Sequence, residues 1–571
     1  MLELTLATKF VPGTNAKARL AGASWTFLLP RLDLERIVCF GLPTPAALGT
    51  LTRLTQSVTV VCEDAWQARV ALREQSAERN SVQVLIAAEG EPLPLPDTSV
   101  DLAVIVAHGA ARRLQNDAHL RREIGRLCKP SGLIYLEFAR MATTWPGPAA
   151  EELGQAQLFW LTPLAGEMQT AVPLDDARTM NYFLRHGLFA VSSRWAPLQR
   201  LEWIFAQQDP LNALARRFGT LISRSREPSD ALPRYLSSVA EAAGIDLDAY
   251  RWGLSAPGPY NSRKVLFYLF DEKTGVPKYV IKITRDPALN YRLENEYRAL
   301  TWLHEKRLGG QGQLPRTVFF GYHHGLAILG ETFIEGVPFR QRMSAQPNAP
   351  VASSVVEWLT ELAEATVTLA SPPQVAGALD KLFNQFTQIY RLGPAHVDYL
   401  ARQIAAVGRS REPLPLVFQH GDPGTWNMMV TTTGQVAFLD WEAAEPQGMP
   451  LWDLLYFLRS HATTVSRLTG IRDSLKSFKR QFLMESPMSQ QLIEATQRYC
   501  VRTGLAPELV EPLFYTCWMH RALKEATRLP AAHLDRGHYV NLLRLCIEQR
   551  GAPPLRQLTS LRMRPPGAVA A

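Results

Sequence analysis

Five polar side chains, His420, Asp422, Asn427, Asp440 and Glu442, fall among apolar runs in the segment VFQHGDPGTWNMMVTTTGQVAFLDWE, residues 417–442. A carboxylate and an amide oxygen are hard ligands suited to a cation such as Mg²⁺. A second carboxylate nearby could accept a hydroxyl proton. The apolar stretches on either side of TTTG read as a β-hairpin. With Thr433-Gly434 as a two-residue turn, Asn427 and Asp440 face each other at its open end. Asp422, five residues before Asn427, sits in the loop entering the hairpin, within reach of a substrate hydroxyl. Ordinary turn-forming Asp and Asn residues would also explain the pattern, and the hairpin alone does not separate the two readings.

Elements on both sides must position this segment. The polar, proline-bearing stretch ISRSREPSDALP (222–233) divides the chain. Before it, apolar runs such as RIVCFG, VTVVCED, VQVLIAA, VDLAVIVAHG and GLIYLEF alternate with helix-like PAALGTLTRL and HLRREIGRLC. That alternation predicts a doubly wound α/β domain with a parallel sheet. After it, KVLFYLFDEKTGVPKYVIKI predicts a hairpin, LENEYRALTWLHEK a helix, and the chain beyond Pro450 is mostly helical in pattern. SAQPNAPVASS (344–354) reads as a connection within this half. The expected division is an N-terminal extension (1–30), a doubly wound domain (31–205) and a linker (206–235). An α+β lobe (236–340), a mostly helical lobe (341–552) and a flexible tail (553–571) follow.

A chain of 571 residues exceeds a single hydrophobic core. With 46% hydrophobic and 20% charged residues it reads as globular. The net charge of +8 is spread along the chain without a run of five basic residues, so no nucleic-acid partner is expected. No apolar run approaches the roughly 18 residues that span a bilayer, and MLELTLATKFVPG lacks the features of a secretory signal. Six scattered cysteines, none in a C-x-x-C pair, read as reduced thiols of a cytoplasmic protein rather than zinc ligands. No membrane partner is expected, and the sequence leaves the oligomeric state open.

His420-Gly421-Asp422, Asn427 and Asp440-Trp441-Glu442 form H-G-D-x4-N followed by D-W-E, which resembles the catalytic segment of the aminoglycoside phosphotransferase and choline kinase family. The resemblance implies a protein-kinase-like bilobal fold, with 236–340 as N-lobe and 341–552 as C-lobe. It implies that Asp422 receives or orients the acceptor hydroxyl, that Asn427 and Asp440 hold Mg²⁺, and that His420 and Asp453 shape the site. Upstream, Lys282 in KYVIKIT would meet the ATP phosphates. Glu296 in LENEYRALTWL would hold that lysine, in preference to Glu294, because Leu300 and Leu303 follow it as in the family. In LAILGETFIEG the backbone around Glu331–Phe333 would meet adenine. Gly258, Asn261 and Ser262 in GLSAPGPYNSRKV would form a phosphate loop that departs from G-x-G-x-x-G. No A-P-E segment follows Asp440, which weighs against a phosphorylation-gated protein kinase. The resemblance spans roughly 233–548 and implies ATP- and Mg²⁺-dependent phosphoryl transfer to a hydroxyl of a small-molecule acceptor. Asp422, Asp440, Glu442, Glu445 and Asp453 make the segment acidic and favour an amine-bearing acceptor, aminoglycoside-like or amino-alcohol-like. The family's C-terminal helices line the acceptor pocket; here Trp518, His520 and Glu525 carry no role that spacing assigns.

In the first half, EIGRLCKPSGLIYLEF and AAEGEPLPLPDTSVDLAVI resemble class I S-adenosylmethionine-dependent methyltransferases. The resemblance implies a cofactor beyond the strand ends, near Gly41, Glu63 and Glu89. The family's G-x-G-x-G is replaced by CFGLPTPAALG, in which Pro43 and Pro45 lack N–H donors. A fold kept as a scaffold, without methyl transfer, is the expectation. A bifunctional methyltransferase-kinase acting on one metabolite and a pseudokinase serving as an interaction protein are the alternatives. The set Lys282, Glu296, Asp422, Asn427 and Asp440 argues against the last, because a binding module has no need of all five.

Overall fold

Val, Ile and Leu recur in four short strands, β1 (Arg36–Phe40), β2 (Ser57–Cys62), β3 (Val82–Ile86) and β4 (Val100–Ile105), and in the GLIYLEF part of the longer β5 (Cys128–Ala139). Strands apolar on both faces suit a parallel sheet covered on both sides, and β1, β2, β3, β4 and β5 pair in parallel in the order β3-β2-β1-β4-β5. In this computed structural model the described residues are 22–75, 82–86, 91–105, 114, 116–139, 152–163, 166–174, 176–186, 217–224, 232–256, 264–310, 312–344 and 349–561. Helices Pro45–Leu54, Ala65–Gln75 and Ala118–Leu127 connect these strands in the doubly wound manner.

The sheet does not end at β5. Antiparallel strands β6 (Gln155–Thr162), β7 (Thr170–Pro173) and β8 (Arg217–Ser223) continue it as β5-β8-β6-β7. Then β7 pairs with β9 (Tyr250–Ser255), Thr170 opposite Ser255 and Ala171 opposite Leu254. Strands β10 (Lys264–Asp271), β11 (Pro277–Thr284), β12 (Thr317–His323) and β13 (Leu326–Thr332) complete the order β9-β10-β11-β13-β12. One sheet of 13 strands thus joins the doubly wound region to the antiparallel lobe. Trp252 on β9 packs against Phe159 on β6 and Phe267 on β10, each at 5.7 Å between ring centroids. Beside this seam the buried Arg285 donates to Ser24 Oγ (3.0 Å) and pairs with Glu167 (3.4 Å).

Three stretches differ from the expected division. The expected linker contains β8, a buried strand between β5 and β6, because FGTLI buries all five of its residues. The expected extension ends in the Ser24–Leu28 turn, whose Trp25 stacks on Tyr135 at 4.1 Å. The expected tail begins with a helix, Pro553–Thr559, that buries Leu555 and Leu558.

A carboxylate holds the start of β1. Asp101, nearly inaccessible on β4, accepts from the backbone N–H groups of Glu35 (3.1 Å) and Arg36 (3.0 Å) and pairs with Arg31 and Lys129, both at 3.0 Å. Burial alone would raise its pKa, but Lys129 and the two N–H groups outweigh burial and hold it below the ordinary aspartate value. A depressed carboxylate contributes stability above its unfolded pKa and loses it as pH falls through its folded pKa. Asp101→Asn should therefore lower the melting temperature at pH 7 and lower it less in acid, once the pH falls through the folded pKa of Asp101, which thermal melts across pH will check.

The chain forms two compact units, one running up to Leu293 together with Thr317–Phe333, the other comprising Glu294–Arg316 and the chain from Ile334 onward. The first holds the large sheet. The second is mostly helical, with small sheets β14 (Gly336–Pro338), β17 (Met428–Thr431) and β18 (Val436–Phe438), and β15 (Thr368–Ala370), β16 (Leu414–Gln419) and β19 (Glu445–Gly448). Its central helix, Val510–Ala526, is buried almost all round, as expected of an apolar helix enclosed by others.

Candidate active site

In the helical unit the HGD loop leaves β16 and enters β17. Gly421 adopts φ +77°, and a Cβ there would lie 1.9 Å from the Ala443 carbonyl oxygen, so only glycine fits. Asp453, at the start of the Trp452–Leu468 helix, accepts from the N–H groups of His420 (2.6 Å) and Gly421 (3.2 Å). Both ring nitrogens of His420 serve the backbone: Nε2 reaches Leu439 O (3.0 Å) and Nδ1 accepts from Asp422 N–H (3.3 Å). These contacts assign Nε2 as the donor and Nδ1 as the acceptor. The imidazole of His420 lies 4.4 Å from the Trp441 indole.

The loop presents Asp422 between two kinds of neighbour. Its Oδ2 accepts from Asn427 Nδ2 at 3.2 Å, and Asn427 Nδ2 also reaches Asp422 O at 3.0 Å. With its amide hydrogens so used, Asn427 keeps its oxygen for a cation. On the opposite side, Asp422 Oδ1 meets Arg521 Nη1 at 3.3 Å. Burial would raise the Asp422 pKa, but Arg521, then Lys524 and Arg528, hold it below the ordinary value.

The hairpin exists, with its register moved by one. Met428 pairs with Phe438, and Leu439 N–H bonds Asn427 O at 2.9 Å, so Asn427 faces Leu439 rather than Asp440. The cause is the turn: Thr431 N–H bonds Gln435 O, enclosing a three-residue loop with Gly434 at φ +82° instead of a two-residue turn. Asp440 is the next residue along and adopts φ +67°, a left-handed conformation uncommon outside glycine and concentrated at functional sites. Within the same unit Glu296 Oε1 accepts from Trp441 N–H (2.9 Å), and Asn295 bonds the carbonyls of Glu442 (3.2 Å) and Ala444 (2.9 Å). The D-W-E segment is thereby tied to the Asn290–Glu305 helix.

In the sheet unit Lys282 is buried on β11 and pairs with Glu331 at 2.8 Å. Glu331, expected to offer its backbone to adenine, thus presents its carboxylate to this lysine. The Phe333 N–H bonds Lys278 O at 2.8 Å and extends the sheet. Gly41 (φ +88°) follows β1, and Glu63 is exposed past β2. Gly258, Asn261, Ser262 and Glu89 lie outside the described residues.

Reading charge along the catalytic segment alone missed the cations from the Val510–Ala526 helix. Arg521 Nη2 and Lys524 Nζ both donate to Gly421 O, at 2.9 and 3.3 Å, and the Arg521 guanidinium lies 3.3 Å above the Tyr456 ring. Burial pushes the Glu445 and Asp453 pKa values up, toward neutrality. The site is therefore richer in cations than its local sequence suggests. The available signal was HRALKEATR, which puts basic residues at 521, 524 and 528 on one helical face. His520 stacks on Trp452 at 4.7 Å, Trp518 is wholly buried, and Glu525 accepts from Tyr539 N–H at 2.9 Å. Trp426, by contrast, is 44% exposed beside Asp422.

Residues 263–476 match the phosphotransferase enzyme family, and residues 40–136 match a methyltransferase domain. No curated protein matches the chain. Among solved structures it is similar to an aminoglycoside phosphotransferase from Streptomyces rimosus, at 17% identity over 51% of this chain and 96% of that one, with a TM-score of 0.31. It is similar to choline kinase LicA from Streptococcus pneumoniae at 13% identity, over 52% and 92% of the two chains, with a TM-score of 0.31. Similarity to the bifunctional kinase-methyltransferase WbdD, at 13% identity and TM-score 0.22, covers 92% of this chain and 85% of that one. The chain joins a methyltransferase domain to a kinase-like fold of the phosphotransferase enzyme family.

Proposed function

We propose that the protein transfers the γ-phosphate of Mg-ATP to a hydroxyl of a small molecule. The observation that carries this reading is the pairing of Asp422 with Asn427, followed past the hairpin by Asp440 in its left-handed conformation. Asn427 and Asp440 are oxygen donors that fit Mg²⁺, and the buried Lys282 fits the nucleotide phosphates. When bound, the metal supplies charge neutralisation on the phosphates. Asp422 orients the acceptor hydroxyl and takes its proton; its depressed pKa keeps it ionised and suits it to positioning more than to strong basicity. His420 and Asp453 hold the loop in place.

The methyltransferase domain acts as a scaffold in this reading. Pro43 and Pro45 offer no N–H where a cofactor would approach, and the Gly41 N–H is committed to Val61 O at 2.9 Å. The backbone of Gly22 packs against Ala46 in the first turn of the following helix, so closely that a Cβ on Gly22 would lie 2.6 Å from the Ala46 Cβ.

Calorimetry on the full chain tests both statements. Mg-ATP should bind only when Mg²⁺ is present, and S-adenosylmethionine should give no heat in the same cell. Absence of Mg-ATP binding would sink the phosphotransferase reading. Micromolar binding of S-adenosylmethionine would sink the scaffold reading.

A further inference from the structure

A half-buried guanidinium in the helical unit has no carboxylate partner among the described residues. Arg459 bonds only neutral groups, with Nη1 at 3.1 Å from Tyr539 Oη and Nη2 against His538 Nε2. Its Nε is buried without a hydrogen-bond partner, and among the described residues no carboxylate pairs with it. Burial first, then the Arg459 charge, lowers the His538 pKa to about 3, so that imidazole stays neutral. Arg459 lies 4.9 Å above the Tyr539 ring, Tyr539 lies 6.2 Å from Tyr456, and Arg521 lies on the Tyr456 ring. Two guanidiniums therefore flank one pair of aromatic rings beside the Asp422 loop. Lys524 adds a third amine, 3.9 Å from Glu445. Two carboxylates meet this group among the described residues, Asp422 at 3.3 Å from Arg521 and Glu445 at 3.9 Å from Lys524.

Three cations thus meet two carboxylates, and the shielded Arg459 Nε has no hydrogen-bond partner, so an anion would complete the cluster. The two oxygens of Asp422 show on which side. Oδ2 faces Asn427, on the proposed metal side, and Oδ1 faces Arg521. Arg521 thus lies on the acceptor side of the proposed base, and Arg459 lies across the Tyr456 and Tyr539 rings from it. We infer that the acceptor is an anionic alcohol, whose phosphate or carboxylate is held by Arg459, Arg521 and Lys524 while its hydroxyl meets Asp422. This rests on the phosphotransferase reading and reverses the amine-bearing acceptor expected from the local acidic sequence.

The test uses four sugars that differ mainly in charge: glucose 6-phosphate, glucuronate, glucose and glucosamine. Their affinities for the full-length protein loaded with Mg-ADP are measured by calorimetry. Glucose 6-phosphate or glucuronate should bind at least about tenfold more tightly than glucose, with glucosamine weakest, and the order of the first two separates a phosphate from a carboxylate site. Arg459→Met should remove most of that preference, and Arg459→Lys should restore part of it, with Mg-ADP affinity reporting an intact fold. Glucosamine binding as tightly as the anionic sugars, or no sugar binding to the Mg-ADP complex, overturns the inference. Failure of Mg-ADP itself to bind overturns the phosphotransferase reading instead.

Discussion

Asp422→Asn is expected to lower the rate constant for phosphoryl transfer about a thousand-fold while Mg-nucleotide affinity stays within about twofold. The amide has nearly the shape of the carboxylate, so its contact with Asn427 can persist, but it cannot take the hydroxyl proton. It also removes the charge that faces Arg521 at 3.3 Å. That loss should weaken the helical unit only modestly, because Arg521 keeps its bond to Gly421 O at 2.9 Å. Asp440→Ala separates the two roles. It should weaken Mg-dependent nucleotide binding more than about tenfold, since it removes a charged oxygen from the proposed metal site. Single-turnover transfer of labelled phosphate and calorimetry on both variants make the comparison. Wild-type rates in Asp422→Asn would remove Asp422 from the mechanism, and unchanged Mg-ATP affinity in Asp440→Ala would move the metal elsewhere.

The geometry of this loop was legible because its contacts are local. The loop from His420 to Asn427 is eight residues long, and its types and spacing are the chemistry itself. The α/β character of the first half was legible because buried parallel strands such as VDLAVI read as continuous apolar runs. What depended on pairing over distance was not. The turn TTTG allows a two- or a three-residue loop, and that difference of one residue moved Asn427 from Asp440 to Leu439. The seam between β7 and β9 joins residues 170 and 255, and no local periodicity announces it. Strand β8 sits amid polar sequence, so RFGTLIS passed for part of a connection. The cations that surround Asp422 come from a helix about a hundred residues downstream. Their spacing marks a basic face, but only packing decides that the face meets Gly421 and Asp422. Charge counted along a segment therefore left out the cations that packing brings to Asp422.

Gly421→Ala should produce the largest structural penalty of any single change in the loop. The added methyl would meet the Ala443 carbonyl oxygen at 1.9 Å and its carbon at 2.7 Å, and backbone there cannot swing aside as a side chain can. The φ of +77° adds the steric cost of a left-handed conformation in a residue with a Cβ. Together these put the loss on the order of 3 kcal/mol. Relief would push the loop away from the turn that follows Asp440, which separates Asp422 from the proposed metal segment, so catalysis should fall with stability. Asp453→Ala provides the control. It leaves the loop's shape sterically free but strips the His420 and Gly421 N–H groups of their acceptor, at a cost of about 1–3 kcal/mol for each buried donor left unpaired. If steric exclusion governs the loop, Gly421→Ala should lose activity even at temperatures where it remains folded, whereas Asp453→Ala should lose chiefly stability. Denaturant unfolding followed alongside activity at low temperature separates the two, and equal losses of activity in both variants would show that the hydrogen bonds, not the contact with Ala443, set the geometry at Asp422.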